Sequence, residues 1–478
     1  YLRNEPQMAD LRVTLADKVH RRQQSHALLL RLRRDLTAIA ADYGADIKLV
    51  EAPPGPPVAA TLTVELYGSE TTPYATLEGA ALELAARLKR ESLVVDVDTS
   101  VETAQGKLTF VTDKEKAALS GIATVDIART LALASGGLVA GHLQLPREAN
   151  PLPLVLRLPL ERRSSPRQLE SLYVKGRPGI TKLREKGGVR DAPQPLVQLG
   201  ELGAFRQDSR ESTIYHKNLR PVAYVFAEPA GRPPAAVVLD VAADQGLDPE
   251  QAEPRPLAGR SYLDLGSGDP WQLPPGVEAV WTGEGEWFIT LRVFRDLGIA
   301  FGVALVGIFM VLWLQTGLAA LAGIIMLAIP LTVIGIMPGF WLLNQLGERV
   351  VDGFPDPVLF TATAMIGMIA LAGIVVRNSL ILVEFVQLAL GEGQDLQEAL
   401  IQAGAIRMRP VFLTAGTTLL GNLVITLDPI FAGLAWAIIF GILASTLFTL
   451  AVVPVVYYLV YQRQPGHGLP TPAAEEEA

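Results

Sequence analysis

The sequence predicts an α+β membrane protein, with a soluble part of ferredoxin-like βαβ units and a β-rich insert followed by a bundle of five transmembrane helices. Three observations carry this. Of the 90 charged residues, 74 precede residue 297. Residues 297 to 347 then hold no charge at all, a run of 51, and two apolar helices of about 20 residues each fit such a run. Before it, stretches alternating with period two flank stretches with helical spacing.

In chain order, residues 11 to 17 (Leu-Arg-Val-Thr-Leu-Ala-Asp) alternate apolar and polar and predict a strand. Residues 25 to 42 place Leu28, Leu29, Leu32 and Ile39 on a helical face, and residues 46 to 52 alternate again. Pro53, Pro54, Gly55, Pro56 and Pro57 break the chain there. A second round predicts a strand at 60 to 67, a helix at 76 to 90, strands at 92 to 98 and 106 to 112, and a helix near 124 to 135. Two successive βαβ-type units suggest paired ferredoxin-like sandwiches, the second split by an insertion that starts at Gly136-Gly137.

Residues 137 to about 228 read as a loop-heavy β insert with short strands at 153 to 158 and 221 to 227. Residues 229 to 275, rich in proline and acids, read as irregular surface chain. The stretch Gly276 to Gly283 reads as a strand returning to the second sandwich, before Trp287 and Phe288, aromatics suited to a membrane interface. The divisions are therefore 1–66, 67–136, 137–228, 229–296, the membrane part 297–463 and a tail 464–478.

Five spans are expected, at about 297 to 315, 318 to 343, 357 to 388, 410 to 428 and 432 to 461. An odd number puts the soluble part and the tail on opposite sides. Arg407, Arg409 and Arg463 fall on the tail's side, and the loop 344 to 356 carries Arg349 among Glu348, Asp352 and Asp356. This bias places the large domain outside the cytoplasm. The chain opens Tyr1-Leu-Arg-Asn without a methionine or signal peptide and reads as a fragment whose missing upstream part carries the domain across.

The third span holds Arg377, Asn378 and Glu384 in Gly373-Ile-Val-Val-Arg-Asn-Ser-Leu-Ile-Leu-Val-Glu-Phe385. A charge at bilayer depth costs about 3 kcal/mol on insertion scales, which makes it a functional candidate. Two placements are open: a cation snorkelling at the cytoplasmic interface, or one at mid-depth that needs an anionic partner. Ala370 and Gly373, small residues on the arginine's face, favour burial in a helix bundle. Glu384, seven residues on, is either partner or interface anchor.

The fourth span begins Arg407-Met-Arg409-Pro410, with the proline expected in its first turn. Thr414, Thr418 and Asn422 follow at i, i+4 and i+8. They either bond back to their own helix or line a polar path opposite span three. Pro330, Pro338 and Pro454 are expected to kink their helices.

Other classes are disfavoured. The net charge of -8 argues against a nucleic-acid partner. There is no cysteine, His20, His26, His142 and His216 are scattered, and Met8 is the only methionine before residue 300, so neither a metal site nor a cofactor is expected. No grouping of nucleophile, base and orienter suggests an enzyme.

The stretches Gly373 to Phe385 and Arg407-Met-Arg-Pro-Val-Phe-Leu-Thr-Ala-Gly416 resemble the resistance-nodulation-cell division family of proton-driven efflux pumps. Asp113-Lys-Glu-Lys-Ala-Ala-Leu-Ser-Gly121 and Gly136-Gly137 look like that family's second large periplasmic loop. The resemblance covers essentially the whole chain as a C-terminal half. It implies two porter subdomains (1–66; 67–136 with 229–296), a docking insert (137–228) and a cytoplasmic tail. It also implies a bacterial inner-membrane homotrimer with its large domain in the periplasm, working with a periplasmic adaptor protein, an outer-membrane channel and membrane lipid. By that resemblance a basic residue on the tenth helix, with an arginine and a threonine on the eleventh, faces two proton-binding aspartates in the missing N-terminal half. Carried over, these are Arg377, Arg409 and Thr414, with Asn378 beside the first and Glu384, Thr418 and Asn422 in support. The family usually has lysine where this chain has Arg377, and a guanidinium does not lose its proton, so Arg377 is expected to be a fixed counter-charge. The expected activity is proton-driven efflux of drugs or other small amphiphiles. The alternative is a non-pumping subunit or scaffold of a protein-export or lipid-handling complex.

Overall fold

The computed structural model describes residues 8–17, 20–51, 58–146, 148–182, 187–250, 252–347, 349–428 and 430–463. The chain divides into two compact units, one of residues 1–101 with 214–478 and one of residues 102–213.

In the first unit, α1 (Ser25–Asp42) forms as the apolar spacing requires. The strands expected on either side of it do not. Residues 11 to 17 and 46 to 51 are not in strands, residue 52 lying outside the described residues, and Leu11 and Val13 are 87% and 70% exposed. Alternation needs a partner ladder to become a strand, and the described residues provide none beside these segments.

The second sandwich is present in full. It comprises β1 (Leu62–Tyr67), α2 (Tyr74–Arg90), β2 (Val94–Thr99), β12 (Arg220–Pro229), α7 (Pro234–Ala243) and β13 (Glu278–Glu284), β3 to β11 being described below. Antiparallel pairing gives the order β13-β1-β12-β2, the arrangement of a ferredoxin-like sheet whose middle is split by an insertion. Leu62, Val64 and Leu66 of β1 face Leu77, Leu84 and Leu88 of α2 and Val237 and Val241 of α7, with Trp271 closing the core.

Helix α7 corrects the reading of 229 to 275 as irregular surface chain. Its sequence, Pro-Ala-Ala-Val-Val-Leu-Asp-Val-Ala-Ala, has no polar face, so it carries no amphipathic signal. The following loop is anchored by the Trp271 indole, whose Nε1 donates to Val241 O at 2.6 Å.

The second unit contains β3 (Gly106–Thr112), α3 (Lys114–Leu119), α4 (Thr124–Ser135), β4 (Leu138–Leu143), β5 (Leu152–Leu156), α5 (Pro166–Glu170), β6 (Tyr173–Lys175), β7 (Ile180–Lys182), β8 (Val189–Asp191), β9 (Leu196–Gln198), α6 (Leu199–Leu202) and β10 (Gly203–Ser209). All its sheets are two-stranded: β3 with β10, β4 with β5, β6 with β9 and β7 with β8. Ile122, Ile127, Val174, Leu199 and Leu202 form its core. The unit starts at Glu102, not at Gly137, because β3 pairs along its whole length with β10. It ends at Thr213, before β11 (His216–Lys217), because β12 pairs with the sandwich.

Among the described residues, five helices or helix pairs are long and apolar enough to cross a membrane: α8 (Gly285–Thr316), α9 with α10 (Ala319–Met326, Ala328–Leu346), α11 (Ala362–Gly391), α12 (Leu396–Ile425) and α13 (Ala432–Tyr461). The break at Leu327 lies three residues before Pro330, which lacks an N–H for Met326 O. Helix α12 starts fourteen residues before Pro410, capped by the Asp395 carboxylate, which accepts from Gln397 N at 3.1 Å. Pro410 is thus interior and not in the first turn. Helical residues from 396 continue the apolar span, and its start was hidden by Glu398, Arg407 and Arg409.

Small residues bring α10 and α13 together. A Cβ on Gly335 would lie 2.2 Å from Ala444 Cβ and 2.8 Å from Phe440 O. Gly335→Ala is therefore expected to cost about 1–3 kcal/mol through overpacking. Its thermal midpoint in detergent should fall, whereas Gly302→Ala, with open space around its Cβ, should leave it unchanged.

Candidate functional site

Helix α11 buries one stripe and exposes another. Leu371, Val375, Ser379, Leu382 and Val386 are buried in the five-helix core, whereas Ile366, Ala370, Gly373, Arg377 and Glu384 are exposed. Among the described residues nothing lies within 4 Å of where a Cβ on Gly373 would sit. Arg377 has no hydrogen bond or ion pair among the described residues, and Asn378 beside it is half-buried.

Glu384 is not the partner of Arg377. Its Oε1 accepts from Gln315 Nε2 at the end of α8, at 3.3 Å. That contact ties the last turns of the first and third spans together.

On α12 the hydroxyls bond back to their own helix. Thr414 Oγ1 donates to Val411 O at 3.0 Å and Thr418 Oγ1 to Thr414 O at 2.8 Å. Asn422 Nδ2 donates to Thr418 O at 2.8 Å, and its residue is buried. Each of these donors is satisfied inside the helix, so the stripe has no need of a partner helix to be stable in lipid.

The two arginines of α12 differ in setting. Arg409 is exposed and unpaired among the described residues. Arg407 is half-buried, and its guanidinium lies 5.2 Å from the ring centroid of Phe385 on α11. Its Nε is buried with no hydrogen-bond partner. Arg407 is seven residues before Thr414, eleven before Thr418 and fifteen before Asn422, and so shares their stripe. Sequence reasoning passed over it for Arg409, although the i, i+7 spacing was legible.

A second charged cluster lies in the sandwich and went unnoticed in the sequence. Arg87 of α2 is fully buried and pairs with Glu91 at 2.8 Å, Asp244 at 2.6 Å and the Ser267 hydroxyl at 2.7 Å. Arg232 bonds Glu91 at 2.6 Å and also pairs with Asp240, while Arg260 bonds Glu91 at 2.5 Å. Burial pushes the Glu91 carboxyl up, but Arg87, Arg232 and Arg260 outweigh it and hold the group below its ordinary value. Asp244 is likewise held low against its burial, by Ser267, Arg87 and the amide of Gly268. Every cation here has its carboxylate, which marks the cluster as a clamp between α2, α7 and the loop to Trp271.

Among the described residues no group of three or more His, Asp or Glu is placed to hold a metal. What α11 and α12 offer is three arginines, Arg377 and Arg409 exposed and Arg407 half-buried against Phe385.

Residues 2–246 and 269–461 match the model of the AcrB/AcrD/AcrF family. The chain is 27% identical over 427 residues to the nickel and cobalt resistance protein CnrA of Cupriavidus metallidurans, a match over 88% of this chain and 35% of that protein. It is 35% identical over 170 residues to the swarming motility protein SwrC of Bacillus subtilis, covering 34% of this chain and 15% of that one. The crystal structure of a heavy metal efflux pump superposes with a TM-score of 0.60 at 21% identity, over 84% of this chain and 35% of the pump, and so shares its fold. The chain spans about a third of the length of the relatives it matches most extensively. The family match covers most of the sequence and runs through both the split sandwich and the five spans, so this chain belongs to the AcrB/AcrD/AcrF family of resistance-nodulation-cell division permeases.

Proposed function

We propose that the chain supplies the C-terminal membrane and porter part of a proton-driven efflux pump in the bacterial inner membrane, with its soluble units in the periplasm. The observation that supports this best is the exposed stripe Ala370, Gly373 and Arg377 on α11. Small residues allow close helix approach in lipid, and a guanidinium there requires an anion. The described residues of this bundle supply none to Arg377, so the acid that binds the transported proton belongs to the rest of the assembly. Arg377 is then a fixed counter-charge whose attraction is released when that acid protonates. Arg407, half-buried over Phe385, is the second cation of this arrangement in preference to Arg409. A homotrimer with a periplasmic adaptor and an outer-membrane channel is part of the same reading. The bare alternation of residues 11 to 17 supports a further partner segment, which would complete the first sandwich.

Substrate is the finer question. Export of small amphiphiles fits a chain with no cysteine and one methionine before residue 300. Export of metal cations is the second reading, favoured by the name of the nickel and cobalt relative that matches over 88% of this chain. The test is efflux from energised inverted vesicles holding the full-length protein as encoded, with ethidium and nickel ion as separate probes. Uptake that collapses with a protonophore supports the pump and selects the substrate class. Indifference of both probes to the proton gradient favours the non-pumping scaffold.

A further inference from the structure

The loop between the second and third spans is a small, well-formed hairpin, β14 (Val350–Val351) and β15 (Phe354–Pro355). Its turn is Asp352-Gly353 with φ of 51° and 85°, the positive pair that a two-residue hairpin turn requires. The hairpin lies against two separate pieces of the soluble part. From α1, Arg34 Nη2 donates to Asp352 O at 3.4 Å, and its Nε lies 3.9 Å from the Asp352 carboxylate. From the other side comes the turn after β12. Gly231, at φ 78°, sits so close that a Cβ would lie 2.1 Å from Pro355 O and 2.8 Å from its carbonyl carbon.

Both sides of this contact are held from behind. Ala230 N donates to Leu93 O at 2.8 Å, and Arg232 is locked into the buried cluster through Glu91 and Asp240. On the membrane side, Asp356 N donates to Arg349 O at 2.7 Å. Asn344 of α10 clasps Val358 from both directions, accepting from its N at 2.9 Å and donating to its O at 3.1 Å. Four residues beyond Val358, α11 begins. Among the described residues, the hairpin route from the sandwich to the helix that carries Arg377 runs through a bare backbone contact, Gly231 on Pro355, beside a second route through α8, whose Glu286 N and Trp287 N donate to Ala60 O and Thr61 O at 3.4 and 3.0 Å.

We infer that Gly231 is a positioning residue for transport: its missing side chain seats the sandwich on the hairpin, so that α11 and the sandwich move as one body when α11 responds to the proton. The inference rests on the proposed role of Arg377. An L-residue at Gly231 is strained by its φ and must also part the two backbones by about 1 Å to restore ordinary contact, loosening the joint without touching either core.

The chain has no cysteine, so a spin-label pair introduced at Ala86 of α2 and Thr361 before α11 is free of background in this chain. The measurement is the label-to-label distance distribution by double electron–electron resonance, in the full-length protein as encoded, in nanodiscs. With Gly231 intact a single narrow distribution is expected. Gly231→Ala should broaden it at least twofold and lower maximal efflux of the transported probe about tenfold per folded molecule, with half-saturation unchanged, whatever fall in thermal midpoint the strained φ brings. The Arg34→Gln, Asp352→Asn pair should broaden it less, and serves if Gly231→Ala is poorly expressed. An unchanged distribution in Gly231→Ala, or in the pair variant where that is used instead, overturns the inference, as does a lowered thermal midpoint with intact turnover per folded molecule. Arg377→Ala separates the two readings. It should keep the narrow distribution and lose transport; if it keeps transport, the counter-charge role fails while the distance result still judges the joint.

Discussion

Arg377→Ala is expected to abolish the proposed proton-coupled export, at least a hundredfold, while leaving the protein folded and abundant. The expectation follows from where the side chain is. It makes no hydrogen bond or ion pair among the described residues and is exposed, so the five-helix core of Leu371, Val375, Leu382 and their partners is untouched by its removal. In the proposed pump the loss would leave an acid without its counter-charge, a change of about 3–5 kcal/mol for a buried pair, and a tenfold loss of rate needs only about 1.4 kcal/mol. Arg407→Ala is expected to behave similarly, since Arg407 is half-buried against Phe385. Arg409→Ala is expected to lose less than threefold, its side chain being exposed. Initial rates in energised vesicles, normalised to protein by immunoblot, give the order. Equal losses at 407 and 409 would reject the assignment of the inner cation to Arg407.

The second large effect is on stability. Arg87→Ala removes the centre of the buried cluster and leaves Asp244 and Glu91 short of a cation at almost complete burial. About 3–5 kcal/mol should be lost, visible as a lower denaturant midpoint of the soluble part. The pH dependence has a definite sign. Glu91 and Asp244 have folded values below their ordinary 4.5 and 3.8, so their contribution is fully present above those values and disappears as pH falls through the lower folded ones. The wild type should lose stability below about pH 4, and Arg87→Ala should lose less over the same range because its carboxylates are held down less. The same cluster changes what proteolysis reports. Residues 229 to 275 are pinned by α7, Arg232, Arg260 and Trp271, so resistance to added protease there reflects local structure as much as the side of the membrane.

Much of this architecture was legible before any coordinates. The uncharged run after Asp296 could only be membrane helix, and the alternation of 60 to 67 and 106 to 112 could only be strand beside the helical spacing of their neighbours. What failed did so for identifiable physical reasons. Residues 11 to 17 carry a strand's pattern, but a ladder belongs to two segments and its partner is not beside it. Helix α7 is apolar on every side except at Asp240, which erases the amphipathic period that would announce it, and the prolines around it read as loop. The start of α12 was displaced because Glu398, Arg407, Arg409 and Pro410 interrupt an apolar count that the backbone does not obey. The candidate site divides the same way. Arg377 stood out because a charge in lipid demands a reason, whereas Arg407 was overlooked because Arg409 lies beside the proline and reads as the helix start. The buried cluster was not legible at all, since it joins residues as far apart as Arg87 and Ser267, and sequence spacing holds no trace of that.

Arg377, as a fixed cation, needs an acid outside the described helices. A cryo-electron microscopy reconstruction of the full-length protein as encoded, in lipid nanodiscs at neutral pH, tests it most directly. A carboxylate from another membrane segment is expected within about 4 Å of the Arg377 guanidinium, close against Ala370 and Gly373. A guanidinium that turns along its helix to lipid headgroups, with no carboxylate in reach, would contradict it.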